Sequence, residues 1–140
     1  MIAPHARRLL VAERDASSRE AMSSWFRRRG YDVETASDGE EAWDRIRSGH
    51  VEAAPTRRID IAFLDDELPR APAREVLARA RTQEIRISAI LITSRGARWV
   101  EVDPELFEAV FTRPLGLGEI LAAVERVFAR RLPVQFREEN

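Results

Sequence analysis

The sequence predicts an α/β fold, a doubly wound parallel sheet of five strands with helices on both faces. Three observations predict it. Short apolar runs alternate with segments of helical periodicity five times within 140 residues, and such alternation implies a parallel sheet with right-handed crossovers. The run ISAILIT at 87–93 is almost continuously apolar, as expected of a strand covered on both faces. The length suits one domain with a single adequate core.

Each element has its own signal. RLLVA (8–12) reads as a short buried strand. SSREAMSSWFRRRG follows, with Ser17 as N-cap, Glu20 as its capping-box partner and Gly30 as the stop. Met22, Trp25 and Phe26 share the inner face of that helix. YDVETA (31–36) is a half-buried strand. Asp38 and Glu41 cap a second helix that turns Ala42, Trp43 and Ile46 inward and ends at Gly49; a loop with Pro55 follows. IDIAFLDDELP (59–69) is the third strand, an apolar run that stops at two adjacent carboxylates, Asp65 and Asp66. Pro72 suits the first turn of a third helix with Val76, Leu77 and Ala80 facing in. Strand four is 87–93 and strand five is EAVFT (108–112). Between them, SRGARWVEVDPELF carries Gly96 and Pro104 and no clean apolar stripe, so a short, irregular or displaced fourth helix is expected. The last helix begins near Gly118 and buries Ile120, Leu121, Val124, Val127 and Phe128. The domain is expected over 7–131, with tails at 1–6 and 132–140.

Composition narrows the class. Hydrophobic residues make up 44 % and charged residues 34 % of the chain, with no cysteine and a formal net charge of −1. That excludes disulfides, thiolate chemistry and cysteine zinc sites, and gives no global pull toward nucleic acid. The arginine clusters at 27–29, 57–58 and 130–131 read as solvated helix ends and loops, and His5 and His50 as isolated, solvated side chains. No apolar run approaches the roughly 18 residues of a membrane helix, and the first residues lack a secretion signal, so a cytoplasmic protein is expected. All 23 basic residues are arginine, which we read as a bias of the genome; any role usually given to lysine falls to arginine or is lost.

In open α/β sheets, ligands sit beyond the carboxyl ends of the strands. Strand one ends at Glu13, Arg14 and Asp15, strand three at Asp65 and Asp66, strand four at Thr93 and Ser94, and strand five at Thr112, Arg113 and Pro114. Acids, a hydroxyl and a guanidinium thus gather at one edge. The set suits phosphoryl acceptance, with a carboxylate as nucleophile, cations to neutralise the transferring oxygens and a hydroxyl to bond the product.

Over about residues 7–131 the chain resembles the receiver domain of bacterial response regulators. The resemblance is carried by RLLVAERDASSREAM, GYDVETASDGEEAW, IDIAFLDDELP, AILITS and VFTRPLGLGEILAAVERVF, with ASDGEEA and DIAFLDDELP the most specific. It implies a flavodoxin-like sheet in strand order 2-1-3-4-5 and an aspartyl-phosphate switch fed by a histidine kinase or phosphotransfer protein. Carried over, Asp65 falls on the phosphoacceptor. Thr93 and Arg113 fall on the phosphate-contacting hydroxyl and cation, and Arg113–Pro114 on the usually cis peptide. Glu13 and Arg14 fall on the acidic pair that holds Mg²⁺, and Glu67 on the residue whose backbone carbonyl the metal takes. Val110 falls on the aromatic switch position.

Three of these positions depart from the pattern. Arg14 exchanges −1 for +1 beside the metal; one charge at 4 Å is worth roughly 4 kcal/mol near a protein surface, so Mg²⁺ binding is expected to weaken unless Glu13 or Glu67 supplies the missing oxygen. Arg113 keeps the lysine charge but adds a planar fork able to pair bidentately with Asp65. Val110 cannot swing as a ring does, which weakens the link from Thr93 to the outer face. Two readings of Arg14 compete: a guanidinium in the metal site, or a solvent-facing side chain at a strand end. Glu67 and Arg95 are a candidate rim ion pair. Trp99, Val100, Leu115 and Leu117 are either a partner surface or packing under a shortened helix.

The function expected is that of a stand-alone receiver that takes a phosphoryl group on Asp65 and signals by binding another protein. It is not an enzyme beyond self-phosphorylation and autodephosphorylation, and contacts neither nucleic acid nor membrane; a homodimer is compatible. The alternative is a pseudo-receiver, a phosphorylation-independent interaction module with Asp65 locked by Arg14 and Arg113. A nucleotide- or flavin-binding enzyme is disfavoured, because AERDASSRE has no glycine and neither G-x-G-x-x-G nor a P-loop occurs.

Overall fold

A computed structural model describes residues 7–51, 57–94 and 105–130. Five parallel strands, β1 (Arg8–Ala12), β2 (Asp32–Ala36), β3 (Ile61–Asp65), β4 (Ser88–Thr93) and β5 (Ala109–Thr112), form one sheet in the order β2-β1-β3-β4-β5. Four helices are described: α1 (Ala16–Arg27), α2 (Gly39–Val51), α3 (Ala73–Thr82) and α4 (Leu117–Arg130). The expected fold class and strand order are observed. The weak fourth crossover falls mostly on 95–104, outside the described residues, as do Arg95, Trp99, Val100, His5 and the tail.

Alternation along each strand sorts the core into two layers. Leu9 and Val11 of β1, Ile61 and Phe63 of β3, and Ile90 and Ile92 of β4 pack with Met22 and Phe26 of α1 and Ile120, Val124 and Val127 of α4. Leu10 and Ala12, Ala62 and Leu64, and Ala89 and Leu91 pack with Ala42, Trp43 and Ile46 of α2 and Val76, Leu77 and Ala80 of α3. β3 is buried along its whole length, whereas β5 is a half-exposed edge.

Some boundaries differ from the sequence reading. Asp15, not Ser17, caps α1, its carboxylate accepting the Ser18 N–H at 2.8 Å; Ser17 lies inside the helix. Asp15 wins because its side chain stands three residues before a free helical N–H, the geometry an N-cap requires. Glu20 instead accepts the Ser24 hydroxyl at 3.1 Å. Pro72 is the N-cap of α3 and not its first residue. α2 runs past Gly49 to Val51. Trp25 and Leu121 are half-buried, and Trp25 carries the Arg29 guanidinium 3.4 Å over its ring. Asp38 caps α2 as expected, accepting the Glu41 N–H at 2.8 Å.

Candidate functional site

β1 and β3 are neighbours in the sheet, and the chain leaves β1 toward β2 but β3 toward β4, so the two connections run to opposite sides. That switch point opens a crevice beyond the strand ends. Glu13 follows β1, Asp65 ends β3 and Arg113 follows β5; continuing the strand alternation places all three on the α1/α4 side of the sheet. They do meet. The Arg113 guanidinium pairs with the Glu13 carboxylate through one nitrogen, which also lies 3.6 Å from Asp65 Oδ2. Its other terminal nitrogen donates to the Ser94 hydroxyl at 3.0 Å. The bidentate pairing of Arg113 with Asp65 is therefore not formed: the buried Glu13 lies closer and takes the stronger contact.

Asp65 is 2 % exposed. Its Oδ1 accepts the Glu67 N–H at 3.0 Å and its Oδ2 the Arg14 N–H at 3.3 Å. Arg14 thus meets Asp65 through its backbone alone. Its guanidinium reaches outward, 57 % exposed, to Glu67 at 3.1 Å. This is an ion pair at the rim of the pocket; the pair considered between Glu67 and Arg95 lies outside the described residues. Glu13 is 4 % exposed. Burial first, and then the charge of Asp65, push its carboxyl up from the ordinary 4.5 to about 7, against the opposing pull of Arg113. The Arg19 guanidinium anchors the Glu13 carbonyl at 2.8 Å.

Thr93 is fully buried, and its hydroxyl donates to Asp66 Oδ2 at 2.7 Å rather than to Asp65. The parallel register explains this. Asp65 pairs with Ile92, so the next residue of each strand, Asp66 and Thr93, stand together on the other side of the sheet. The doubled acid was visible in the sequence; that its second member takes the Thr93 proton was not. Ser94, as the Arg113 partner, was likewise unassigned. The Arg113–Pro114 peptide is cis. Val110 is half-buried against the α2/α3 layer.

Magnesium requires about six oxygen ligands in a near-ideal octahedron. Glu13 and Asp65 both face Arg113, and Glu67 is paired with Arg14. Among the described residues no three acids or histidines gather in a metal-holding group. Two carboxylates, Glu13 and Asp65, are available to an ion that keeps several waters, and Arg113 competes with it for both.

No protein-family profile matches the chain. It is 29 % identical over 126 residues to the alkaline phosphatase synthesis transcriptional regulatory protein PhoP of Bacillus subtilis, covering 89 % of this chain and 49 % of that protein. It is 30 % identical over 129 residues to the response regulator MprA of Mycolicibacterium vanbaalenii, covering 90 % and 52 %. The chain spans about half the length of these curated relatives. Its fold matches the response regulator TrrA of Thermotoga maritima, a complex with Mg²⁺ and BeF, at a TM-score of 0.72 and 23 % identity, covering 86 % of this chain and 98 % of that one. Fold and relatives together define the class: the chain has the receiver-domain fold and is similar in sequence to response regulators. In its pocket two arginines, Arg14 and Arg113, meet Asp65 and Glu67.

Proposed function

We propose that the chain is a phosphorelay receiver that accepts a phosphoryl group on Asp65 from a histidine kinase or phosphotransfer protein and signals by protein–protein contact in the cytoplasm. One observation carries the reading: the buried Asp65 carboxylate is held by the Glu67 and Arg14 backbone N–H groups with the Arg113 guanidinium 3.6 Å away. The two N–H groups orient the attacking carboxylate before the reaction, and Arg113 beside it is the cation that would meet the phosphoryl oxygens. An Asp65 oxygen attacks phosphorus, the bond from phosphorus to the leaving group breaks, and the leaving group departs with the electron pair. Arg113 neutralises charge on the transferred oxygens, and Arg14 can swing from Glu67 to do the same. The unit concerned is 7–131, and whether it acts alone or beside an output domain belongs to the whole protein.

A second reading is favoured by a different observation. The Arg113–Glu13 pair fills the space beside Asp65, and the Arg14–Glu67 pair stands at its rim, so the carboxylates there already have cationic partners. A pseudo-receiver, working as a phosphorylation-independent interaction module, would need nothing more.

One experiment separates the two. The chain is incubated with acetyl phosphate or beryllofluoride, with and without Mg²⁺, and followed by intact mass and tryptophan fluorescence. Under the first reading a phosphate-mass adduct forms, and Asp65→Asn abolishes it. A folded chain with neither adduct nor spectral change supports the second. Arg14→Asp then raises Mg²⁺ affinity by about tenfold or more, as expected for two charge units beside the ion; unchanged affinity would remove Arg14 from the metal position.

A further inference from the structure

The Thr93 hydroxyl has one proton to give, and it gives it to the wrong aspartate for phosphoryl chemistry. Thr93 is fully buried, and its bond to Asp66 Oδ2 is 2.7 Å long. Asp66 is itself fixed: its backbone N–H donates to the Ile92 carbonyl at 2.9 Å and extends the β3–β4 ladder by one residue. The acceptor is therefore carried by a residue whose backbone is tied to β4. A bond from a hydroxyl to a carboxylate is among the stronger neutral-to-charged hydrogen bonds, and a hydroxyl donates only once. While Asp66 holds that proton, no oxygen on Asp65 can receive it.

We infer that Asp66 is a positioning residue that holds the Thr93 hydroxyl away from Asp65, so that Asp66 and a phosphorylated Asp65 compete for one donor. The consequence for phosphorylation rests on the reading of Asp65 proposed above; the hold on Thr93 does not. Phosphorylation adds strongly accepting, doubly charged oxygens at Asp65, and these must draw the hydroxyl from a carboxylate rather than from water. Asp66 thereby sets how readily Thr93 turns, a control that the sequence places one residue beyond the phosphoacceptor.

Three substitutions divide the effects. Asp66→Leu removes both charge and acceptor, Asp66→Asn removes the charge but keeps an acceptor oxygen, and Thr93→Val removes the donor. The first measurement needs no phosphorylation: three-bond couplings to the Thr93 methyl group report its χ1 rotamer by NMR. A single rotamer is expected in the parent chain and in Asp66→Asn, and averaged couplings in Asp66→Leu; Asp66→Ala serves if the leucine variant does not fold. The second measurement is the rate of adduct formation with acetyl phosphate, in which the Asp65–phosphorus bond forms as acetate leaves. Asp66→Leu is expected to exceed Asp66→Asn by roughly fivefold, the worth of one hydrogen bond, and the two are expected to match when Thr93 is valine. Unchanged Thr93 couplings in Asp66→Leu, or a leucine–asparagine difference that survives Thr93→Val, would overturn the inference. Altered couplings with no adduct in any variant would uphold the hold on Thr93 and sink the phosphoacceptor reading of Asp65.

Discussion

Glu13 follows β1 almost wholly buried, with Asp65 beside it and Arg113 in contact. Its carboxyl is raised from 4.5 to about 7, chiefly by burial. The folded chain therefore binds this proton more tightly than the unfolded chain does. The Glu13 contribution to stability is fully present below about pH 4.5, declines as pH rises, and is lost above about pH 7. Glu13→Gln has no such proton to lose. Urea unfolding of the parent chain at pH 5 and pH 8 is expected to show a larger drop than in the variant, by roughly 2–3 kcal/mol; equal drops would show that Glu13 titrates as an ordinary acid. At this scale the sequence exposed residue types and order. Asp65, Arg113, Thr93 and Glu13 were all legible as strand-end residues, but which acid receives the Thr93 proton was not, because that choice depends on strand register.

At the scale of elements, the α2 start shows how the site loop is held. Gly39 opens α2, and its N–H donates to the Pro69 carbonyl at 3.0 Å in the loop that follows Asp65. A Cβ on Gly39 would lie 1.9 Å from the Ala71 carbonyl oxygen, so only a residue without one allows helix and loop to approach so closely. Gly39→Ala is expected to destabilise the fold by about 1–3 kcal/mol, and to shift amide resonances from Asp66 to Ala71. A variant with the parent's melting temperature and an unmoved loop would show that the contact yields without cost. The elements themselves were largely visible in advance, since period-2 and period-3.6 apolar patterns are local. Helix starts were less so: Asp15 and Ser17 both cap well, and the chain path into α1 chose between them.

For the whole molecule, the decisive feature is a central strand buried on both faces. Phe63 of β3 is 1 % exposed and its ring stacks on Phe26 of α1 with centroids 5.3 Å apart, tying sheet to helix directly beneath the site. Phe63→Ala is expected to cost about 3–5 kcal/mol, a large share of the total stability of about 5–15 kcal/mol typical of such domains. The check is a reduced urea midpoint at an unchanged slope; a loss below 1 kcal/mol would mean that the layer closes over the gap.

The sequence by itself determined the class of fold, the five strands and the identity of the residues at their carboxyl ends, because apolar periodicity and chain order are written locally. Only the tertiary structure decided the pairings: Arg113 with Glu13, Arg14 with Glu67, and Thr93 with Asp66. Each joins residues from segments that are distant in the chain or differently paired in the sheet. Their partners follow from strand order, register and the depth at which each charge is buried, which no local pattern encodes.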